Sequence, residues 1–266
     1  MDAIRKQKYQ QEGRLPISIE SFNNFPTAAG IASSASGMAA LAFGLYKLFE
    51  LEDHISERQL TQLARQASGS ACRSIPTSGG FVEWHGPTTE WPDKESFAET
   101  IPASEELNEL VILIYIFSSS KKHISSTEGM RRSVETSAFL KYRTLNLVPG
   151  RLALAKELIA CGSFSALLEL IIKDSNSFHA CCLDSYPPII YLSSLSNSII
   201  DAVTEFNGAS AARVAYSFDA GPNAFVFLRE RDLSDWMQFS RNKISPEIQV
   251  FRSGLGKKGA HIVSFE

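Results

Sequence analysis

The residues best suited to chemistry sit in clusters of small, hydroxyl-bearing and charged side chains. The densest is Asn23-Asn24-Phe25-Pro26-Thr27-Ala28-Ala29-Gly30-Ile31-Ala32-Ser33-Ser34-Ala35-Ser36-Gly37, and the apolar run Met38-Ala39-Ala40-Leu41-Ala42-Phe43-Gly44-Leu45 follows at once. That order is a tight loop opening a buried helix. The first N–H groups of a helix have no internal partner and sit at the positive end of its dipole. Small side chains let an anion approach them, and Ser33, Ser34 and Ser36 add hydroxyls, which is the physics of a phosphate cradle. A Ser-rich cap in front of a core helix would use the same residues. No Gly-Lys-Ser/Thr follows, so the loop is not a Walker A motif.

A second hydroxyl-rich turn, Ser68-Gly69-Ser70-Ala71-Cys72-Arg73-Ser74, holds a lone arginine. A guanidinium suits bidentate recognition of a carboxylate or phosphate, although an exposed loop arginine reads the same way. Ser125-Ser126-Thr127-Glu128 is a capping-box pattern, and Lys121 and Lys122 just before it make a second candidate anion site. Solvated lysines beside a well-capped helix are the plainer alternative. Asp219 stands in Phe218-Asp219-Ala220-Gly221-Pro222-Asn223-Ala224, at the end of a strand and on a Gly-Pro turn. Turn chemistry alone would make it a turn-forming aspartate.

The elements that must position these residues can be read in order. Leu15 to Phe22 alternates apolar and polar residues, which predicts a strand leading into the first loop. The loop's helix runs to about Glu50. Ser56-Glu57-Arg58-Gln59 is a capping box, and Leu60, Leu63, Ala64 and Ala67 give the following helix its stripe. Gly86 to Ser104 is polar and carries Pro87, Pro92 and Pro102, as a loop or domain boundary would. Leu110 to Phe117 is an apolar run rich in β-formers and predicts a central strand. Pro149 marks a helix start, and Cys161-Gly162 ends that helix. Further helices are predicted over Ser163 to Leu183, Ser196 to Phe206 and Asp232 to Ser240. Strands are predicted over Ala211 to Ser217, Phe225 to Leu228, Ile248 to Phe251 and His261 to Phe265.

The 266 residues suffice for one large domain or two modest ones. Hydrophobic content of 44% and charged content of 21% are ordinary for a globular protein. A formal net charge of −3 argues against broad binding to nucleic acid or acidic membranes. No apolar run approaches the roughly 20 residues that span a bilayer, and the start lacks a signal-peptide core. The 4 cysteines show no paired metal spacing, and free buried thiols in a reducing cytoplasm account for them.

The pattern Pro-x-x-x-Gly-x-x-Ser-Ser from Pro26 to Ser34 resembles the phosphate loop of the GHMP kinase superfamily. Ala32 stands where many of its kinases carry glycine, and in this the loop is similar to that of the mevalonate diphosphate decarboxylases. The resemblance continues through Ser68 to Ser74, Gly79-Gly80-Phe81-Val82-Glu83-Trp84, Ser125 to Ser137, Lys173-Asp174-Ser175-Asn176, Leu183-Asp184-Ser185-Tyr186-Pro187-Pro188 and Ser217 to Ala224, in the family's order. One departure stands out. Family members usually begin with strands bearing a lysine and an asparagine of the substrate site, whereas this chain opens near the helix before the phosphate loop.

The resemblance implies a two-layer α+β, GHMP-kinase-like fold. A ribosomal-S5-like nucleotide-binding part would occupy residues 1–104 and a ferredoxin-like part residues 105–266. It implies ATP-dependent decarboxylation of mevalonate 5-diphosphate to isopentenyl diphosphate, ADP, phosphate and CO2. Ala28, Gly30, Ala32, Ser33, Ser34 and Ser36 would hold ATP, with Mg²⁺ carried by the nucleotide and Ser36 as its candidate protein contact. Ser68, Gly69, Ser70, Arg73, Ser125, Ser126, Met130 and Asp219 would bind substrate, and Asp219, Arg73 and Ser36 would be catalytic. Asn176 and His179 are expected near the substrate cleft. The family is often dimeric, so a homodimer is expected, with no nucleic-acid or membrane partner. A related enzyme acting on a monophosphate, or a non-catalytic nucleotide-binding relative, remains open. A serine hydrolase ranks last, because no Gly-x-Ser-x-Gly elbow is present.

Overall fold

A computed structural model of the chain describes residues 17–23, 33–86, 96–117 and 124–263. These residues divide into two compact units. The first comprises residues 17–23, 33–86, 96–101 and 256–263, and the second residues 102–117 and 124–255.

In the first unit, helix α1 spans Ser33–Leu48 and helix α2 spans Glu57–Ala67. α1 is rich in Ala, Leu and Met, which are strong helix formers, and it buries Ala35, Ala39, Ala42, Phe43 and Leu45. α2 opens on the expected capping box. Ser56 Oγ accepts from the Gln59 N–H at 3.3 Å, and Gln59 Oε1 accepts from the Ser56 N–H at 2.8 Å. Leu60 and Ala64 on α2 join Phe43, Leu45, Leu51, Ile55, Ala71 and Ile75 in one core. A 3₁₀ turn, Gly69–Ser74, follows α2.

Strands β1 (Val82–His85) and β2 (Phe97–Thr100) pair antiparallel, with Val82 opposite Thr100. The fully buried Thr61 ties this ribbon to α2, because its Oγ1 accepts from the Ala98 N–H at 3.1 Å. β2 lies where the sequence offered only a polar loop, and at 4 residues it is too short to show a period. The strand expected over Leu15 to Phe22 does not appear in its described part. Residues 17–23 are irregular, and no other strand among the described residues pairs with them. An alternating sequence becomes a strand only when a neighbour takes its backbone hydrogen bonds.

The second unit is a four-stranded sheet with helices. Its strands are β3 (Leu110–Ile116), β4 (Val214–Phe218), β5 (Ala224–Arg229) and β6 (Gln249–Gly254). They lie in the order β4-β5-β3-β6, and every pair is antiparallel. Between β3 and β4 come α3 (Ser126–Thr136), α4 (Ala138–Tyr142), α5 (Val148–Cys161), α6 (Phe164–Asp184) and α7 (Ser194–Asn207), while α8 (Leu233–Ser240) joins β5 to β6. The order strand–helices–strand–strand–helix–strand is that of an α+β, ferredoxin-like layer pair.

Val111, Leu113 and Tyr115 of the central β3 point into a core shared with Ile199, Val203, Val214, Val226, Leu228 and Trp236. The indole of Trp236 donates to Tyr115 Oη at 2.9 Å, so the buried ring keeps its polar atom satisfied. α5 starts on Pro149 and ends at Gly162, whose φ of 71° lies in the left-handed region that glycine adopts without strain. The closing strand expected over His261 to Phe265 does not appear in its described part, residues 261–263. These are irregular and exposed, and Phe265 lies outside the described residues.

Candidate active site

In the first unit, Ser33 and Ser34 open α1, and Ser36 stands in its first turn. Ser36 Oγ donates to the Ser33 carbonyl at 3.0 Å, which leaves its lone pairs open to a ligand. Ala28, Gly30 and Ala32 lie outside the described residues, as do Lys121 and Lys122. Ser68, Gly69, Ser70 and Arg73 sit on and beside the 3₁₀ turn, with Arg73 exposed at its end. The turn is fixed from beneath by fully buried Ala71, Cys72 and Ile75.

Ser36 and Arg73 line one cavity of about 350 Å³. Its remaining wall is Ala39, Ala40, Ser74, Pro76, Gly79, Gly80, Val82 and residues from the segment Gly256 to Ala260. That segment is bonded to the 74–80 turn through its backbone. The Gly80 N–H donates to the Gly256 carbonyl at 2.6 Å, and the Ala260 N–H donates to the Ser74 carbonyl at 2.8 Å. Gly79 has φ of 64°, and a Cβ there would sit 2.5 Å from Lys258 N and 2.6 Å from Gly256 O. Glycine is therefore required twice over, for the dihedral and for the approach of the second backbone. The segment 256–260 is a part of this site that sequence reading passed over as a link between strands. Its spacing of Gly254, Gly256 and Gly259 around a lysine pair was the available signal.

In the second unit, Asp219 is exposed on the β4–β5 turn, directly above a buried base. Both main-chain groups of the preceding Phe218 are held by α6. Ser175 Oγ accepts from the Phe218 N–H at 3.2 Å, and the His179 imidazole donates from Nε2 to the Phe218 carbonyl at 3.3 Å. Ser175 and His179 are one helical turn apart and so share a face. The far side of the turn is tied down as well. Ser196 Oγ donates to the Pro222 carbonyl at 2.8 Å, and Asn223 Oδ1 accepts from the Phe117 N–H at 2.7 Å. Asp219 Oδ1 accepts from the Ala220 N–H at 2.8 Å. Asn176, expected in the cleft, is occupied as an acceptor for Tyr216 Oη at 2.9 Å.

The same unit brings the head of α3 toward this turn. Ser125 is the N-cap of α3, and its Oγ accepts from the Glu128 N–H at 3.1 Å. Only this half of the expected capping box forms, because the Glu128 carboxylate bonds to Arg131 and Arg132 instead. Ser126 is the first helical residue, and Met130 is exposed. Tyr191 Oη reaches the Ser125 carbonyl at 3.4 Å, and a Cβ on Gly129 would collide with that hydroxyl.

Tyr191 packs with Cys182, Ile189 and Ala220 in a small core under Asp219. Burial, with Cys182 and Asp219 adding to it, pushes the Tyr191 phenol up to about 12. Burial, with Cys181 and Asp219 adding, pushes the Cys182 thiol up to about 11. Burial also holds His179 below the ordinary imidazole value, against the Phe218 carbonyl and the Asp219 charge. Tyr191, Cys182 and His179 are thus neutral at pH 7. Cys72, Cys181 and Cys182 are buried free thiols as expected, whereas Cys161 is exposed at the end of α5.

Asp174, adjacent to this face of α6, has a structural role. Arg143 holds its carboxylate in a two-pronged contact at 2.8 and 2.9 Å, and Arg151 adds a third bond at 3.1 Å.

Known proteins resemble the chain along most of its length. Residues 112–261 match the model of the mevalonate 5-diphosphate decarboxylase C-terminal domain, and residues 1–98 match that of the diphosphomevalonate decarboxylase-like N-terminal domain. The chain is 45% identical over 243 residues to a diphosphomevalonate decarboxylase of Danio rerio, covering 90% of this chain and 58% of that protein. The chain thus spans less than two thirds of the length of that curated relative. Among solved structures it is similar to the mevalonate diphosphate decarboxylase of Enterococcus faecalis, with a TM-score of 0.74 and 36% identity, covering 87% of this chain and 67% of that one. A further solved structure, described as MDDEF in complex with MVAPP, AMPPCP and magnesium, aligns with a TM-score of 0.75 and 37% identity over 87% of this chain and 68% of that one. The match to the C-terminal family model alone exceeds half of the residues, and the chain belongs to the mevalonate diphosphate decarboxylase family, with its α+β, GHMP-kinase-like fold.

Proposed function

We propose that the chain carries out the ATP-dependent decarboxylation of mevalonate 5-diphosphate to isopentenyl diphosphate, ADP, phosphate and CO2. The observation that carries the reading is the turn at Phe218 to Asn223, which is bonded from α6, α7 and β3 and leaves one exposed carboxylate at its apex. Such a base fixes a proton acceptor before substrate arrives. The captured ligands of the solved relative, MVAPP and AMPPCP with magnesium, support the same substrate class.

In this reading Asp219 orients the tertiary hydroxyl of the substrate and accepts its proton as the γ-phosphoryl group transfers to that oxygen. Phosphoryl transfer is mostly positioning and charge stabilisation. Ala28, Gly30, Ala32, Ser33, Ser34 and Ser36 are assigned to the nucleotide phosphates at the head of α1. Magnesium, when bound, neutralises charge on those phosphates. Its candidate protein contact, carried over from the family resemblance, is Ser36, whose lone pairs are open. Arg73 grips the substrate carboxylate in a fork. The C–O bond to the new phosphate then breaks with its electron pair. The pair of the bond to the carboxylate carbon becomes the double bond, and CO2 departs. Ser68, Gly69, Ser70, Ser125, Ser126 and Met130 are assigned to the rest of the substrate, with the hydroxyls on its diphosphate.

No helix among the described residues is long and apolar enough to cross a membrane. That and the buried free thiols support a cytoplasmic location. Exposed Val134, Phe139, Tyr142 and Leu145 support association of two copies. Following ADP, phosphate and CO2 with the diphosphate and monophosphate substrates tests the activity. The expected outcome is equal release of all three products from mevalonate 5-diphosphate and none from the monophosphate. ADP release without CO2 would refute it in favour of a kinase.

A further inference from the structure

The cavity lined by Ser36 and Arg73 is lined also by a second cationic residue, Lys258. Among the described residues, its lining includes no carboxylate, and neither Arg73 nor Lys258 makes an ion pair. Two exposed cationic residues thus share one concave wall of hydroxyls and glycine backbone. An oxyanion bound at that wall would gain from both charges.

Lys258 is also fixed at its root. On one side the Gly80 N–H donates to the Gly256 carbonyl at 2.6 Å, and on the other the Gly259 N–H donates to the Thr77 carbonyl at 3.4 Å. A Cβ on Gly259 would lie 2.8 Å from the Pro76 carbonyl carbon and 2.9 Å from the Ile75 oxygen. Close backbone contact on both sides therefore sets where the lysine stem leaves the chain. A charge on so constrained a root loses less entropy on binding than one on a free tail.

We propose that Lys258 is the second cation of the Arg73 anion site and binds an oxyanion of the acidic substrate. This rests on the substrate class proposed above. A mevalonate-type diphosphate offers two such groups, its carboxylate and its diphosphate. Arg73 provides the planar fork, and Lys258 provides a point charge from the opposite segment.

The test compares wild type with Lys258→Gln, Lys258→Arg and Lys257→Gln by titration calorimetry. The probes are mevalonate 5-diphosphate, mevalonate, inorganic pyrophosphate and Mg-AMPPCP. Lys258→Gln is expected to weaken mevalonate 5-diphosphate about tenfold, as loss of one charge-assisted contact does. Lys258→Arg should recover most of that loss. Lys257→Gln, at a residue that does not line the cavity, and all Mg-AMPPCP affinities should be unchanged.

Parallel weakening of mevalonate assigns the carboxylate, and parallel weakening of pyrophosphate assigns the diphosphate. Unchanged affinity of Lys258→Gln for every probe overturns the proposal, as does weakening confined to Mg-AMPPCP or failure of wild type to bind any acidic probe. Lys258-dependent binding in a wild type that releases no CO2 would leave the anion site standing while the proposed reaction fails. Lys258 is exposed, so equal melting temperatures should show that every variant is folded.

Discussion

Replacing Ser175 by alanine removes the acceptor of the Phe218 N–H without touching any exposed residue of the turn. Ser175 is 5% exposed and Phe218 is 4% exposed, so water cannot replace the lost bond at 3.2 Å. Leaving a buried donor unpaired costs about 1–3 kcal/mol. For a chain of this size each kcal/mol lowers the melting temperature by about 2–4 °C. The expected fall is therefore about 2–12 °C, from the product of those ranges.

The kinetic consequence follows from the position of Phe218 next to Asp219. With one of its two anchors gone, the carboxylate loses its fixed placement, and kcat should fall about tenfold or more, since misplacement by about 1 Å can cost a hundredfold. The KM for ATP should change little. Differential scanning fluorimetry and steady-state kinetics read both effects. Ser198→Ala serves as a control, because Ser198 Oγ donates only to Ser194 O on the exposed face of α7. A Ser175→Ala protein with an unchanged melting temperature and kcat would refute the claim that α6 holds the turn.

Gly259→Ala should destabilise the first unit by about 1–3 kcal/mol, the cost of forcing a methyl group into packed backbone, and urea titration measures it. Asp174 gives a pH dependence. Burial raises its pKa, but the bonds and charges of Arg143 and Arg151 outweigh burial and hold it below the ordinary carboxylate value. A carboxylate with a depressed folded pKa stabilises above its unfolded pKa of about 4 and loses that contribution as pH falls through the folded value. Asp174→Asn should therefore lose about 1–3 kcal/mol at pH 7, discounted for its partial exposure. It should also show a shallower loss of stability than wild type below about pH 4, in urea midpoints taken across that range.

The parts of the fold set by local chemistry were legible in the sequence. The box at Ser56, Pro149 at the start of α5 and Gly162 at its end act within a few residues, and the apolar run from Leu110 announced the central strand. Features that depend on partners distant in the chain were not legible. Of the alternation from Leu15 to Phe22, the described part from Ile17 pairs with no strand among the described residues, and β2 is held by Thr61 from another element. In the site, residue types alone left Arg73 as a loop arginine and Asp219 as a turn aspartate, and it was the family resemblance that singled both out. The i,i+4 pair Ser175 and His179 was visible only as polar groups on a helix, and its service to Phe218 needed the fold. Lys258 is 185 positions from Arg73 by their numbers, and only the packing of Gly79 against the 256–258 backbone puts both in one cavity.

The central claim is that Asp219 is the proton acceptor on a preformed base. The most direct measurement is turnover of Asp219→Asn, followed as ADP release and CO2 release with mevalonate 5-diphosphate. The amide oxygen can still accept from the Ala220 N–H, so the melting temperature and Mg-AMPPCP affinity should match wild type. Turnover should fall by about 10²–10⁴, the range for loss of a general base. A folded Asp219→Asn protein that releases CO2 within a few-fold of the wild-type rate would contradict the account.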